Sequence, residues 1–184
     1  MMDGRRRSRR PFLFPQIDQR RVACGLPARI DFLRRFVMAD RVSASITIGG
    51  DLPAELLLDL VRIIGDEGLS TDWDGSDFAA SDLPGDAPLR LMAHEVAWGR
   101  FDGLEAFCVA NRLPFARWSG AYSGQWGAER VVFNGRGEPH SYVADEEDFV
   151  LIGRETAEQF GSFAAIIAHF EDAEFEVPPL RVIG

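Results

Sequence analysis

Few residues in this sequence could make or break bonds, and their spacing decides most of what can be asked of them. His94-Glu95 opens like the HExxH zinc motif, but residue 98 is Trp. The surrounding LRLMAHEVAW also reads as a strand, which sends neighbouring side chains to opposite faces, whereas two zinc-binding histidines need one helical face. The sequence holds three histidines, His94, His140 and His169, so a His-rich metal centre would require nearly all of them to converge. Cys108 lies between Phe107 and Val109 on an apolar helical face, the setting of an inert core thiol rather than a nucleophile. The loop STDWDGSDFAASDLPGD, residues 70–86, offers oxygens of the kind that hold Ca²⁺. Its glycine, Gly75, comes at the fourth position from Asp72 instead of the sixth, and no glutamate closes the loop. No metal and no cofactor is expected.

All 20 basic side chains are arginine. Without lysine, Schiff-base catalysis, pyridoxal phosphate attachment and the phosphate-binding lysines of Walker loops and kinases are excluded. There is no G-x-S-x-G elbow and no G-x-G-x-x-G turn, because Gly135-Arg136-Gly137 belongs to a hairpin and lacks the third glycine.

Two patterns suit binding instead. In RWSGAYSGQWGAER, Trp118, Tyr122 and Trp126 recur every four residues among Gly and Ser, with Arg117 and Arg130 at the ends. Aromatics beside small residues can line a ligand or partner surface, and His94 and His140 would stand near such a pocket. The structural alternative is ordinary sheet packing, with the glycines permitting bends. The second pattern is acidic. Between Ile63 and Leu89 there are seven acids and no arginine, and between Ala144 and Val177 ten acids face Arg154 alone. Asp66, Glu67, Asp72, Asp74 and Asp77, with Asp145, Glu146, Glu147 and Asp148, would present a charged face able to imitate nucleic-acid phosphates. Solubility is the plainer role for the same charges.

These residues need a frame. Val42, Ala44, Ile46 and Ile48 alternate with Ser43, Ser45 and Thr47, which predicts a half-buried strand. Asp51 is placed to cap a helix with the stripe Leu56, Leu57, Leu60, Ile63 and Ile64. The second strand, from Leu89, has two ambiguous faces. Asp102 and Glu105 have the spacing of a capping box for a second helix bearing Leu104, Phe107 and Cys108. From Phe115 the period falls to two again, predicting a meander with a hairpin at Asn134-Gly135 and a further strand at Phe149 to Ile152. One last helix is expected from about Thr156, with Phe160, Phe163, Ile166, Ile167 and Phe170 inward, and then an extended tail. The order predicts an α+β two-layer sandwich, a mainly antiparallel sheet with about three helices on one face, as a ferredoxin-like variant.

Charge divides the 184-residue chain. Residues 1–37 carry ten Arg against three Asp, and residues 38–184 carry ten Arg against 26 acids, for nets of +7 and −16. A basic, aperiodic leader followed by one acidic domain is the expected organisation. Three readings of the leader compete: an arm for nucleic acid or anionic membrane, a targeting peptide, and codons upstream of a true start at Met38. Apolar runs are broken by Asp59 and Arg62 long before a membrane span is reached. Cys24 and Cys108 form a thin disulfide framework, so a reducing cytoplasm is expected. The leading expectation is therefore a non-enzymatic, cytoplasmic interaction protein. It would dock on a basic surface of a nucleic-acid-binding protein, in its most concrete form as an inhibitor of the anti-restriction or anti-CRISPR kind. No membrane partner is expected, and nucleic acid only through the Arg-rich leader. The alternative is a small-ligand-binding or enzymatic α+β domain with an aromatic-lined pocket.

Overall fold

The period-two stretch behaves as its pattern demands: Val42, Ala44, Ile46 and Ile48 are buried while Ser43, Ser45 and Thr47 stay half-exposed on the opposite face of strand β1, Arg41–Ile48. The structure is a computed structural model that describes residues 40–184; the basic leader, residues 1–37, and Cys24 within it lie outside the described residues. After β1 come β2 (Gly50–Pro53), a 3₁₀ turn (Ala54–Leu56), α1 (Leu57–Asp66), β3 (Leu89–Ala97) and α2 (Asp102–Asn111). Then follow β4 (Phe115–Ser119), β5 (Glu129–Phe133), β6 (His140–Val143), α3 (Arg154–Phe160), α4 (Phe163–Ala173) and β7 (Leu180–Ile183).

The fold is α+β. Five strands form an antiparallel sheet in the order β3-β1-β4-β5-β6, and β2 pairs in parallel with β7 in a separate ribbon. Because β3 and β4 both run antiparallel to β1, they are parallel to each other, and α2 joins them in a split β-α-β unit. The meander β4-β5-β6 completes the sheet. In its hairpin the Asn134 side chain accepts the backbone N–H of Arg136 at 3.0 Å, and Gly135 takes a φ of 87° that favours glycine.

Leu60 and Ile64 of α1, with Leu104 and Cys108 of α2, close over Ile46, Ile48, Leu91, Phe115 and Phe133. Each such large apolar side chain contributes about 1.5–3 kcal/mol by leaving water. The expected grouping of helices on one face holds for α1 and α2. The last helix sits on the other face: Arg130 Nε of β5 donates to the Ala173 carbonyl at 2.8 Å, and the His169 ring lies 5.0 Å from Tyr142 of β6. That last helical stretch is also two helices. Gly161 has a φ of 67°, which ends α3, and Ser162 Oγ then accepts the Ala165 N–H to start α4.

Several local expectations change for physical reasons. The two faces of β3 looked ambiguous because the strand carries a bulge: Val42 pairs with Val96 but Ala44 with Ala93. The shift lets Leu89, Leu91, Ala93 and Val96 all face the core. Asp51 does not cap α1, since its segment pairs with β7 and Pro53 precedes the 3₁₀ turn. Asp102 does not cap α2 either. Phe101 is the cap residue, Glu105 Oε1 accepts its N–H at 3.1 Å, and Glu67 Oε1 reaches across from the end of α1 to accept Gly103 N–H at 2.8 Å and Leu104 N–H at 3.3 Å. Phe149 to Ile152 forms no strand, only a bridge between Ala144 and Val150.

Candidate functional site

Strand β4 puts its residues alternately on the two faces, and the polar ones do not go where polarity alone would send them. Phe115, Arg117 and Ser119 pair across with Ile48, Ile46 and Ala44, which places Arg117 on the core face, while Trp118 pairs with Ser45 on the other. The Arg117 side chain is 2% exposed. Its two terminal nitrogens are bonded from several elements: Nη1 donates to Gly99 O at 2.7 Å and Ser119 Oγ at 3.0 Å, and Nη2 to Glu129 Oε1 at 2.6 Å. Nε stands 2.9 Å from Glu105 Oε1 with its N–H off that line, so this contact is ionic rather than a hydrogen bond.

The two carboxylates are not equivalent. Burial pushes the Glu105 pKa above the usual carboxylate value, outweighing the attraction of Arg117. Burial also acts upward on Glu129, but hydrogen bonds from Arg117 and Ser141 and the charges of Arg117 and Arg100 together bring its pKa below that value. Glu129 is thus firmly ionised where it borders a cavity of about 460 Å³ lined by Trp98, Arg100, Asp102, Ser119, Trp126, Gly127 and Glu129.

Aromatic rings form one wall of this cavity. Trp98 and Trp126 stand 5.5 Å apart at 40°, and Tyr122 stacks on Trp126 at 5.1 Å and 24°. The wall is fixed by the Tyr122–Trp126 backbone bridge and by Trp98 N–H donating to Asp40 O at 2.9 Å. Asp40 also lies beside the Tyr122 phenol and raises its pKa. The arrangement holds charges and ring faces in place. Cys108, the one described thiol, is fully buried, and burial with the nearby Glu105 pushes it up to about 12.

The aromatic and histidine residues singled out from sequence spread over several places. Trp126 lines this cavity and Tyr122 only stacks on it, whereas Trp118 lines a hollow on the opposite face with Ser45, Arg90, Arg130 and Asp148, and donates Nε1 to Asp145 O at 2.9 Å. His94 projects from β3 between Ser43 Oγ, 3.2 Å from Nδ1, and the Trp73 ring at 4.9 Å, with Asp74 at 4.0 Å. His140 is exposed on β6, bordering a third hollow with Tyr142 and Asp172. The sequence places Arg117 at one end of the aromatic segment and Glu105 in a capping box, but assigns neither of them, nor Trp98 and Glu129, to a site. No period in the sequence links Glu105, Arg117 and Glu129, which stand on α2, β4 and β5.

The acidic residues divide between internal work and solvent. Glu67 caps α2, Glu146 Oε1 accepts Ala121 N–H at 3.1 Å, Asp148 pairs with Arg130, and Asp145 Oδ1 accepts Glu147 N–H at 3.0 Å and Phe149 N–H at 2.8 Å. Asp66 is exposed beside Arg62, and Asp72, Asp74, Asp77 and Glu147 are exposed. The loops carrying Asp74 and Glu146 meet the same end of the sheet. Asp74 lies by His94, His94 by Ser43, and Ser43 O accepts the Gly120 N–H at 2.9 Å next to the Ala121–Glu146 bond. Among the described residues no helix is long and apolar enough to cross a membrane. No protein-family model matches this chain, and no curated protein or solved structure matches it either.

Proposed function

We propose that this chain is a non-enzymatic interaction protein that docks its acidic face on a basic surface of a nucleic-acid-binding protein, in its most specific form as a nucleic-acid-mimicking inhibitor. The observation that carries the reading is the approach of two acid-rich loops to one end of the sheet, through Asp74, His94, Ser43, Gly120 and Glu146. His94 and Gly120 stand on β3 and just past β4, two strand spacings apart, so the loops flank a face only about 10 Å across. Asp72, Asp74, Asp77 and Glu147 supply its free charge, while Glu67, Glu146 and Asp148 hold the loops in place. Exposed carboxylates of this kind speed encounter, so neutralising three together weakens capture through the on-rate.

The test pairs capture with competition. A protein retained from host lysate by the full chain should be released by duplex DNA or RNA and by salt, and should be lost with Asp72→Asn/Asp74→Asn/Asp77→Asn. It should persist with the control set Glu138→Gln/Glu155→Gln/Glu171→Gln, which removes equal charge elsewhere on the surface. Retention indifferent to nucleic acid, or equal loss with both sets, overturns the reading.

A further inference from the structure

Trp98 occupies a position that folding alone would give to another residue. It has a φ of 57°, followed by Gly99 at 65°, so both central residues of the turn Ala97–Arg100 are left-handed, and Arg100 N–H closes the turn on Ala97 O at 3.2 Å. Glycine is required at 99, because an added Cβ would lie 2.5 Å from Ser119 Cβ. At 98 the conformation favours Gly or Asn and is costly for a bulky side chain. The tryptophan nevertheless stands there with 47% of its surface exposed, its ring 5.5 Å from that of Trp126 in the wall of the cavity. Backbone strain held at an aromatic residue beside a cavity points to a side chain kept for contact with something else.

The cavity's charges indicate the kind of ligand. Asp102 makes no hydrogen bond or ion pair among the described residues, and Glu129 borders the same space with its Oε1 accepting from Arg117 and its Oε2 from Ser141. Arg100 is the opposing cation on the rim, and Asp102 is the lining carboxylate left without a partner. Indole faces attract cations through their quadrupole, and a guanidinium can lie flat on a ring while its N–H fork reaches a carboxylate. Ser119, in the lining, is buried and its Oγ already accepts from Arg117. We propose that this cavity is a receptor for a guanidinium group, seated against Trp98 and Trp126 and held by Asp102 beside the Arg117-paired Glu129, and that its natural source is an arginine side chain of the docking partner. The second half rests on the docking reading above. The first half does not.

The full chain should be titrated with arginine amide, with lysine amide and benzoate alongside, and followed by tryptophan fluorescence. Saturable binding of arginine amide with a Kd on the order of millimolar is expected. Trp98→Ala should weaken it about tenfold. Gly127→Leu should abolish it: Gly127 lines the cavity and a Cβ there meets nothing within 4 Å, so that variant adds a bulky side chain at the wall without a clash, and an unchanged melting curve confirms its fold. Lysine amide should bind less well. No saturation with arginine amide, equal binding by Gly127→Leu, or tighter binding of benzoate overturns the proposal. An arginine-rich peptide separates the two readings. Salt-sensitive peptide binding that Gly127→Leu leaves intact sinks the partner-arginine half and spares the docking reading. Arginine amide binding without peptide binding sinks docking and leaves a receptor for a free guanidinium compound.

Discussion

Replacing Arg117 with methionine tests whether the buried ion triad is held together as the geometry implies. Methionine keeps the length of the stem but removes the charge and the donors to Gly99 O, Ser119 Oγ and Glu129. Taking one partner from a buried ion pair costs about 3–5 kcal/mol, because the remaining charge stays in a poor solvent. Glu105 is 19% exposed and Glu129 33% exposed, so water screens part of the loss and the lower end, about 3 kcal/mol at pH 7, applies. For a domain of this size that is a fall in Tm of about 6–12 °C. The pH dependence gives the sharper check. In the wild type the lowered pKa of Glu129 contributes stability above its unfolded pKa, and this is lost as pH falls through the folded value. Glu105, with its raised pKa, costs stability at neutral pH and stops doing so as pH falls through its folded value. Without Arg117 both carboxylates shift upward and are relieved by protonation, so the gap between variant and wild type should narrow from pH 7 towards about pH 4.5. Urea unfolding followed by tryptophan fluorescence measures it. The neutral triple variant Arg117→Met/Glu105→Gln/Glu129→Gln should recover at least half of the loss. A deficit below about 1 kcal/mol at pH 7, or one that grows as pH falls, would refute the triad's energetic role.

Two further outcomes follow from single contacts. Glu67→Ala removes the acceptor for Gly103 and Leu104 N–H and should cost about 1–2 kcal/mol in urea unfolding, with Glu67→Gln losing less than half as much because it keeps an acceptor; equal losses would show that charge alone matters. Cys108, buried with its thiol pushed up to about 12, should resist iodoacetamide at pH 8 in the native chain and react in urea, as read by peptide mapping; native labelling at the rate of a free thiol would place it at the surface.

The strands and the core were legible because a period of two or of 3.6 is written in the residues themselves. Val42 to Ile48 and the stripe of α1 needed no tertiary information to be read. What escaped depended on distant partners. The β3 faces could not be assigned because a bulge opposite Ser43 breaks the alternation. The capping of α2 was assigned to Asp102 because its spacing fitted, yet Glu67, 36 residues before Gly103, fills that place. The last helix went to the wrong face because its apolar stripe says that it packs, not where. Only Arg130 and Tyr142, projecting from the far side of β5 and β6, decide that.

The spacing of four among Trp118, Tyr122 and Trp126 misled for a related reason: a period of four places residues together on a helix, but this segment is a strand that ends at Ser119 and continues as a loop. Strand alternation puts Trp118 on the face of the acid-rich loops and its neighbour Arg117 on the face of the cavity. The two functional readings therefore lie on opposite sides of one strand, one residue out of phase. Changes on the outer face at Asp72, Asp74 or Asp77 leave the cavity lining untouched, and a bulky side chain at Gly127 leaves those acids in place. The acids and the cavity can thus be perturbed separately, and if both are needed for one partner, that partner must wrap the end of the sheet where β1 begins.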